Sequence, residues 1–133
     1  MTILLVDDNN TFRANLKLFL EGHLNHEVIG EASDGNEFLK KLHENADVIL
    51  MDINMPGMSG INAAKKGTWN NHKLKIIAVS QYKESIDLQM LIGVGFKGFV
   101  SKTNLFSDLE NALNKVSEGG YFFPNEIQIE SKF

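Results

Sequence analysis

The chain has 133 residues, with 13 Lys and Arg against 17 Asp and Glu for a net charge of −4 at pH 7, and it contains no cysteine. That length suits one domain with a single core, and the missing cysteines exclude disulfides, thiolate metal sites and cysteine nucleophiles. Hydrophobic residues at 43% and charged residues at 23% are ordinary globular usage, which argues against disorder and fibrous repeats.

Short apolar runs alternate with stretches of helical period. Residues 3–6 form a continuous apolar run that stops at Asp7 and Asp8, as a buried parallel strand does. Phe12, Leu16, Phe19 and Leu20 recur at the spacing of one helix face, predicting a first helix that runs out near Gly22. Residues 27–32 predict a second strand, closed by a turn at 33–35. Ser33 or Asp34 can cap the next helix, whose inner face holds Phe38, Leu39 and Leu42. Residues 47–51 predict a third strand, closed by Asp52 and followed by a long loop over 53–60. Ser59 can cap a third helix over 61–66, which Gly67 and the Trp69-Asn70-Asn71 stretch should end early. A fourth strand over 75–79 reaches Ser80, a fourth helix covers 85–93, and a short fifth strand over 98–100 leads to Lys102. Leu105, Leu109, Ala112, Leu113 and Val116 line one side of a last helix that Gly119 and Gly120 terminate. Five repeats of strand then helix predict an α/β fold, a five-stranded parallel sheet with helices on both faces. Residues 1–122 form the domain and 123–133 read as a tail or the start of a linker.

The longest apolar runs fall far below the ~20 residues that span a bilayer. The N-terminus has no basic stretch ahead of an apolar core, so it does not read as a signal peptide. No Lys/Arg cluster is present to grip a nucleic acid backbone. A cytoplasmic chain, with no membrane contact and no direct nucleic acid binding, is expected.

In open α/β sheets ligands bind beyond the carboxyl ends of the strands, so the residues that end each predicted strand are a functional test. They are Asp7 and Asp8, Asp52, Ser80 and Lys102. Each has an ordinary explanation alone: acids at a helix start, a turn former, a helix cap, a solvated cation. Three acids, a hydroxyl and a cation on one edge are hard to assign to accident. Crowded carboxylates repel and raise at least one pKa unless a cation neutralises them. Oxygen donors without His or Cys favour a hard divalent ion, and Mg²⁺ combines few carboxylates with water and phosphate oxygens. A phosphoryl group would give Lys102 and Ser80 a reason to be there, as donors to its oxygens. A carboxylate can itself be the nucleophile, forming an aspartyl phosphate. Asp52 suits that role best, because the adjacent Asp7 and Asp8 suit metal holding.

These residues are recognisable as a set. The string ILLVDD over 3–8, VILMDINMPGMSG over 48–60, Ser80 and Val100-Ser101-Lys102 resemble the receiver domain of bacterial two-component response regulators. The resemblance implies a flavodoxin-like (βα)5 receiver fold and a phosphorelay switch that accepts a phosphoryl group from a sensor histidine kinase. It implies Asp52 as phosphoacceptor, Asp8 as a direct Mg²⁺ ligand, Asp7 acting on the metal through water, and the backbone carbonyl of Asn54 as a further ligand. Ser80 resembles the switch hydroxyl and Phe99 the aromatic switch position. Asn54 and Tyr82 stand where the family tunes self-dephosphorylation, and a bulky Tyr82 would shield the acyl phosphate from water. Two features depart from the common pattern: Thr103 follows Lys102 where many receivers have proline, and Phe99 carries no hydroxyl.

Ile86, Leu88, Met90, Leu91, Ile92 and Val94 spread around most of the fourth helix, which reads as a docking surface. The resemblance implies partners or a homodimer through the helix 4/5 or helix 1/5 faces. The stretch from Gly95 to Lys102 and the segment after the last helix resemble receivers that precede a LuxR/NarL-type helix-turn-helix domain. A transcriptional output in a longer protein is therefore expected, with a stand-alone receiver acting by protein contact as the alternative. A haloacid-dehalogenase-like phosphatase would normally carry a second acid two residues after the nucleophile, where this chain has Asn54. A nucleotide-binding protein of the same fold would need a glycine-rich turn after the first strand, where this chain has Asp7-Asp8-Asn9-Asn10. His23, His26, His43 and His72 are scattered and read as surface or satisfied side chains, and Trp69 as a packing or surface aromatic.

Overall fold

The computed structural model describes residues 1–42, 45–81 and 87–123. The elements are β1 (Thr2–Val6), α1 (Asn10–Gly22), β2 (Glu27–Ala32), α2 (Gly35–Lys40), β3 (Val48–Asp52), α3 (Gly60–Asn70), β4 (Ile76–Ser80), α4 (Leu88–Val94), β5 (Phe96–Ser101) and α5 (Leu105–Ser117), with a 3-10 turn over Lys102–Asn104. All strand pairings are parallel, in the order β2-β1-β3-β4-β5.

The sheet is buried on both faces because α1 and α5 cover one side and α2, α3 and α4 the other. Alternation along each strand supplies both cores. Ile3, Leu5, Val48, Leu50, Ile77 and Val79 point toward Leu16, Leu20, Leu109, Leu113 and Val116. Leu4, Val6, Ile49, Met51, Ile76 and Ala78 point toward Phe38, Ala63, Ala64, Leu88 and Leu91. The central strands β3 and β4 are buried throughout, which is why they read as unbroken apolar runs rather than as alternating ones.

The helix starts follow their caps. Asn9, Asp34, Ser59 and Asp87 each accept a backbone N–H bond from the first turn of the helix they precede. Two predicted boundaries need correction. α3 runs on to Asn70 instead of stopping at 66, because Gly67 lies on its buried side, where an added Cβ would sit 3.2 Å from the Phe38 ring. That glycine serves close packing between α2 and α3 and does not break the helix. β5 begins at Phe96 and ends at Ser101, longer than the expected 98–100, because its outer edge is paired. Phe122 accepts from the Phe99 N–H at 2.8 Å and donates to the Lys97 carbonyl at 3.0 Å. The packed chain thus continues through Phe123, which is buried in the core on the α4 side. The described part of the fourth helix starts at Leu88, one turn into the expected span.

Candidate functional site

The strand order places the site. β1 leads to β2 on one side while β3 pairs on the other, so a crevice opens between the carboxyl ends of β1 and β3. Asp7 follows β1, and Asp52 is the last residue of β3. Ser80 ends β4 next to it, and Lys102 follows β5. The structure brings all of these to one edge, around a cleft of about 220 Å³ lined by Asp8, Asn9, Asp52, Asn54, Gln81 and Lys102.

Carboxylate oxygens of Asp7, Asp8 and Asp52 all lie within 4.8 Å of one another, with Asp7 and Asp52 buried and Asp8 exposed. Lys102 reaches across from β5, its Nζ 3.0 Å from Asp7 Oδ2 and 3.6 Å from Asp52 Oδ2. One cation therefore faces three acids. Burial is the main cause that pushes the Asp52 carboxyl up from 3.8 to about 6, and the neighbouring Asp7 and Asp8 add to it. The Asn54 N–H on Asp52 Oδ1, at 2.9 Å, and the Lys102 ammonium work in the other direction. An excess of negative charge held in a partly dry cleft, with only oxygen donors, fits a hard divalent cation.

Local geometry holds each group in place. The Asn9 N–H donates to Asp7 Oδ1 at 2.8 Å, and Arg13 donates to the Asp7 carbonyl while its Nε pairs with Glu31 at 2.9 Å. The dipeptide Asp7-Asp8 is thus fixed from both its side chain and its backbone. Gly60 packs on the carbonyl end of β3. An added Cβ there would fall 2.1 Å from the Asp52 carbonyl oxygen, so only glycine lets the 53–60 loop close behind the site. Lys102 Nζ sits 4.2 Å from the centroid of the Phe12 ring, close enough for a cation–π contact that steers the ammonium toward the acids. The Lys102–Thr103 peptide is trans, and Ser101 Oγ accepts from the Thr103 N–H at 3.3 Å to shape the turn.

Asn54 bridges two site residues. Its N–H is on Asp52, and its side-chain amide donates to Ser80 Oγ at 2.8 Å. Ser80 and Phe99 are both fully buried, and Phe99 packs in the core on the α4 side. Tyr82 and Ile86 lie outside the described residues, as does His43. Among the other histidines, His26 Nδ1 lies 3.2 Å from the N-terminal amine, and no described histidine belongs to the acid cluster.

Arg13, Phe12 and the Asn54 amide are contributions that sequence reasoning did not assign to the site. Phe12 carried a visible signal, since it lies one turn beyond Asp7-Asp8, but helix period assigns it only to the inner face. Its contact with Lys102 depends on the long lysine side chain, which reaches from the end of β5 across the ends of β4 and β3 toward β1.

Comparison with known proteins places the chain in a family. Residues 3–114 match the family described as the response regulator receiver domain. The transcriptional regulatory protein LiaR of Bacillus subtilis is 36% identical over 131 residues, covering 98% of this chain. The response regulator UvrY of Escherichia coli is 32% identical over 128 residues, covering 96% of this chain. The chain spans 59% of the length of each of these two relatives. A crystal structure of a LuxR-family two-component response regulator from an Aurantimonas species superposes with a TM-score of 0.90 at 24% identity, covering 98% of this chain and 94% of that one, and shows the shared fold.

Proposed function

We propose, from the premise that this chain belongs to the response regulator receiver domain family, that its switch is phosphorylation of Asp52. The observation that carries the proposal is the Lys102 ammonium set between two buried carboxylates, 3.0 Å from Asp7 and 3.6 Å from Asp52, beside an exposed third acid. In this reading Asp8 and Asp52 would hold Mg²⁺ directly with the Asn54 carbonyl, and Asp7 would act through water. Bound Mg²⁺ would neutralise the acids and the phosphoryl oxygens.

The chain's own residues supply the rest. Asp52, held near pKa 6 before the metal binds, is largely ionised above neutrality and able to attack phosphorus. An O–P bond forms to its carboxylate as the P–N bond to a phosphohistidine of a sensor histidine kinase breaks, and the imidazole leaves with that electron pair. Lys102 pairs with a phosphoryl oxygen, which relieves its sharing between Asp7 and Asp52. Ser80 exchanges the Asn54 amide for another phosphoryl oxygen, and Phe99 repacks with it, shifting the population of two states. The chain is a signalling phosphoacceptor that promotes only its own phosphorylation and dephosphorylation. Asn54 provides no carboxylic acid two residues after Asp52, which disfavours turnover of outside substrates. Tyr82 shields the acyl phosphate, so Tyr82→Ala should shorten its lifetime, and a lifetime longer than wild type would contradict that role.

The receiver, expected over 1–122, packs through Phe123, and the residues after it would lead toward a DNA-binding helix-turn-helix output as in a transcriptional regulator. Two apolar faces suit a dimer or partner: Met90 and Ile92 on α4, and Leu18 on α1 with Phe106 on α5, all exposed, the Phe106 ring packing edge-on against Phe19 of α1. Among the described residues no helix is long and apolar enough to cross a membrane.

The test is intact mass after incubation with acetyl phosphate and Mg²⁺. One added phosphoryl group, dependent on metal and lost in Asp52→Asn, is expected. An adduct that persists in Asp52→Asn would overturn the assignment.

A further inference from the structure

A large groove in the described structure shares no lining residue with the acid cleft. It lies between α2 and α3, has a volume of about 650 Å³, and is lined by Leu39, Leu42, Met58, Lys65, Lys66 and Trp69 with two asparagines. Its floor is apolar because Leu39, Leu42 and Met58 pack on the core from outside. Its rim is cationic. Trp69, the chain's only tryptophan, is 81% exposed at the C-terminal end of α3.

An indole this exposed has almost none of its apolar area removed from water, and tryptophan is the side chain most often found anchoring interfaces. The sequence gives it no helix-packing duty, since the buried side of α3 is carried by Ala63, Ala64 and Gly67.

The charge distribution is equally uneven. A second groove of about 250 Å³ shares Leu42 and adds Lys41 and Lys73 to the lining. Four of the chain's 13 basic residues therefore line two adjoining grooves, and among the described residues no acidic side chain lines either. In a protein of net charge −4, this is a local reversal of sign. Among the described residues Lys65 and Lys66 make no ion pair.

We propose that the α2–α3 groove docks an acidic, amphipathic polypeptide segment, with apolar side chains on Leu39, Leu42, Met58 and Trp69 and carboxylates over Lys65 and Lys66. The open form of the groove, with its tryptophan exposed, suits a helix laid along it rather than an enclosed small molecule. α3 has 11 residues, about three turns, so a partner helix of similar length can contact the rim along its whole course. Lysines on the rim set the sign of the partner and its approach, while the indole and the leucines supply the contact area. This surface is separate from the Asp52 reading, and its test does not depend on phosphorylation.

The probe is a synthetic peptide of about 15 residues with Leu and Phe at helical spacing on one face and Glu elsewhere, beside its counterpart with Lys for every Glu. Trp69 emission reports occupancy directly, since no other tryptophan contributes. The acidic peptide should shift the emission to the blue, saturate, and bind about tenfold more tightly than the basic one. The double variant Lys65→Glu, Lys66→Glu should invert that preference. Trp69→Ala should weaken the acidic peptide about tenfold by calorimetry. Both variants should retain wild-type circular dichroism and the same phosphoryl uptake from acetyl phosphate. Equal binding of the two peptides, or no inversion in the double variant, would overturn the proposal. So would preferential binding of phosphatidylglycerol vesicles through the same lysines, which would make the groove a membrane contact, or self-association lost in the double variant, which would make it a contact between copies.

Discussion

Replacing Asp52 by asparagine should stabilise the metal-free protein, and the gain should depend on pH. Burial raises the Asp52 carboxyl from 3.8 to about 6. A raised pKa means that the folded state holds the proton more tightly than the unfolded state, so stability from this group is present below about 4 and is lost as pH rises through about 6. At ~1.4 kcal/mol per pKa unit, the ionised carboxylate costs the folded state about 3 kcal/mol above pH 7. Asparagine keeps an oxygen for the Asn54 N–H bond and carries no charge, so Asp52→Asn should recover most of that cost. The expected gain at pH 7.5 in EDTA is about 2–3 kcal/mol, falling to about 1 kcal/mol at pH 4.5, where the folded wild type is protonated but the unfolded chain is not, and approaching zero below about pH 3.5. Urea unfolding followed by circular dichroism at both pH values reads the difference. Comparison of the two proteins cancels the carboxylates of Asp47 and Glu37, whose backbone N–H bonds hold their pKa values down in both. Excess Mg²⁺ should shrink the gap by stabilising wild type through binding. A variant less stable than wild type at pH 7.5, or a gain that does not change with pH, would refute the electrostatic account of this site.

Asp8→Ala should abolish Mg²⁺ binding measured by calorimetry while leaving thermal unfolding in EDTA nearly unchanged, because Asp8 is the exposed member of the cluster. Lys102→Gln should slow phosphorylation by acetyl phosphate about 100-fold, by loss of a charge-assisted contact to the phosphoryl oxygens, as read by the rate of mass gain. Gly60→Ala should destabilise the fold by at least about 2 kcal/mol in a urea titration, since its Cβ would meet the Asp52 carbonyl at 2.1 Å and force the loop behind the site to move.

The sheet was legible in the sequence because buried parallel strands announce themselves as short apolar runs with polar ends. The ends of β1, β3, β4 and β5 are also the site, so one pattern carried both fold and chemistry. Caps at Asp34 and Ser59 were legible for the same local reason. What was not legible depended on packing between elements distant in sequence. Gly67 looked like a stop, and only the position of the Phe38 ring explains why a glycine belongs inside α3. The segment after α5 gave no periodic signal, yet Phe122 forms a bridge to the edge of β5, which a single residue's composition cannot announce. Phe12 beneath Lys102 and Arg13 on the Asp7 carbonyl are contacts across the strand order, and each residue alone reads as ordinary helix. The spread of apolar residues on the fourth helix did anticipate its exposed Met90 and Ile92.

The central claim is that Asp52, and not Asp7 or Asp8, carries the phosphoryl group. Treating the phosphorylated protein with borohydride reduces an acyl phosphate to an alcohol, converting the modified aspartate into homoserine, which peptide mapping locates. The account predicts homoserine at position 52 alone, formed only when Mg²⁺ accompanied acetyl phosphate. Homoserine at position 7 or 8, or an unmodified peptide around 52 in a protein that has gained phosphoryl mass, would contradict it.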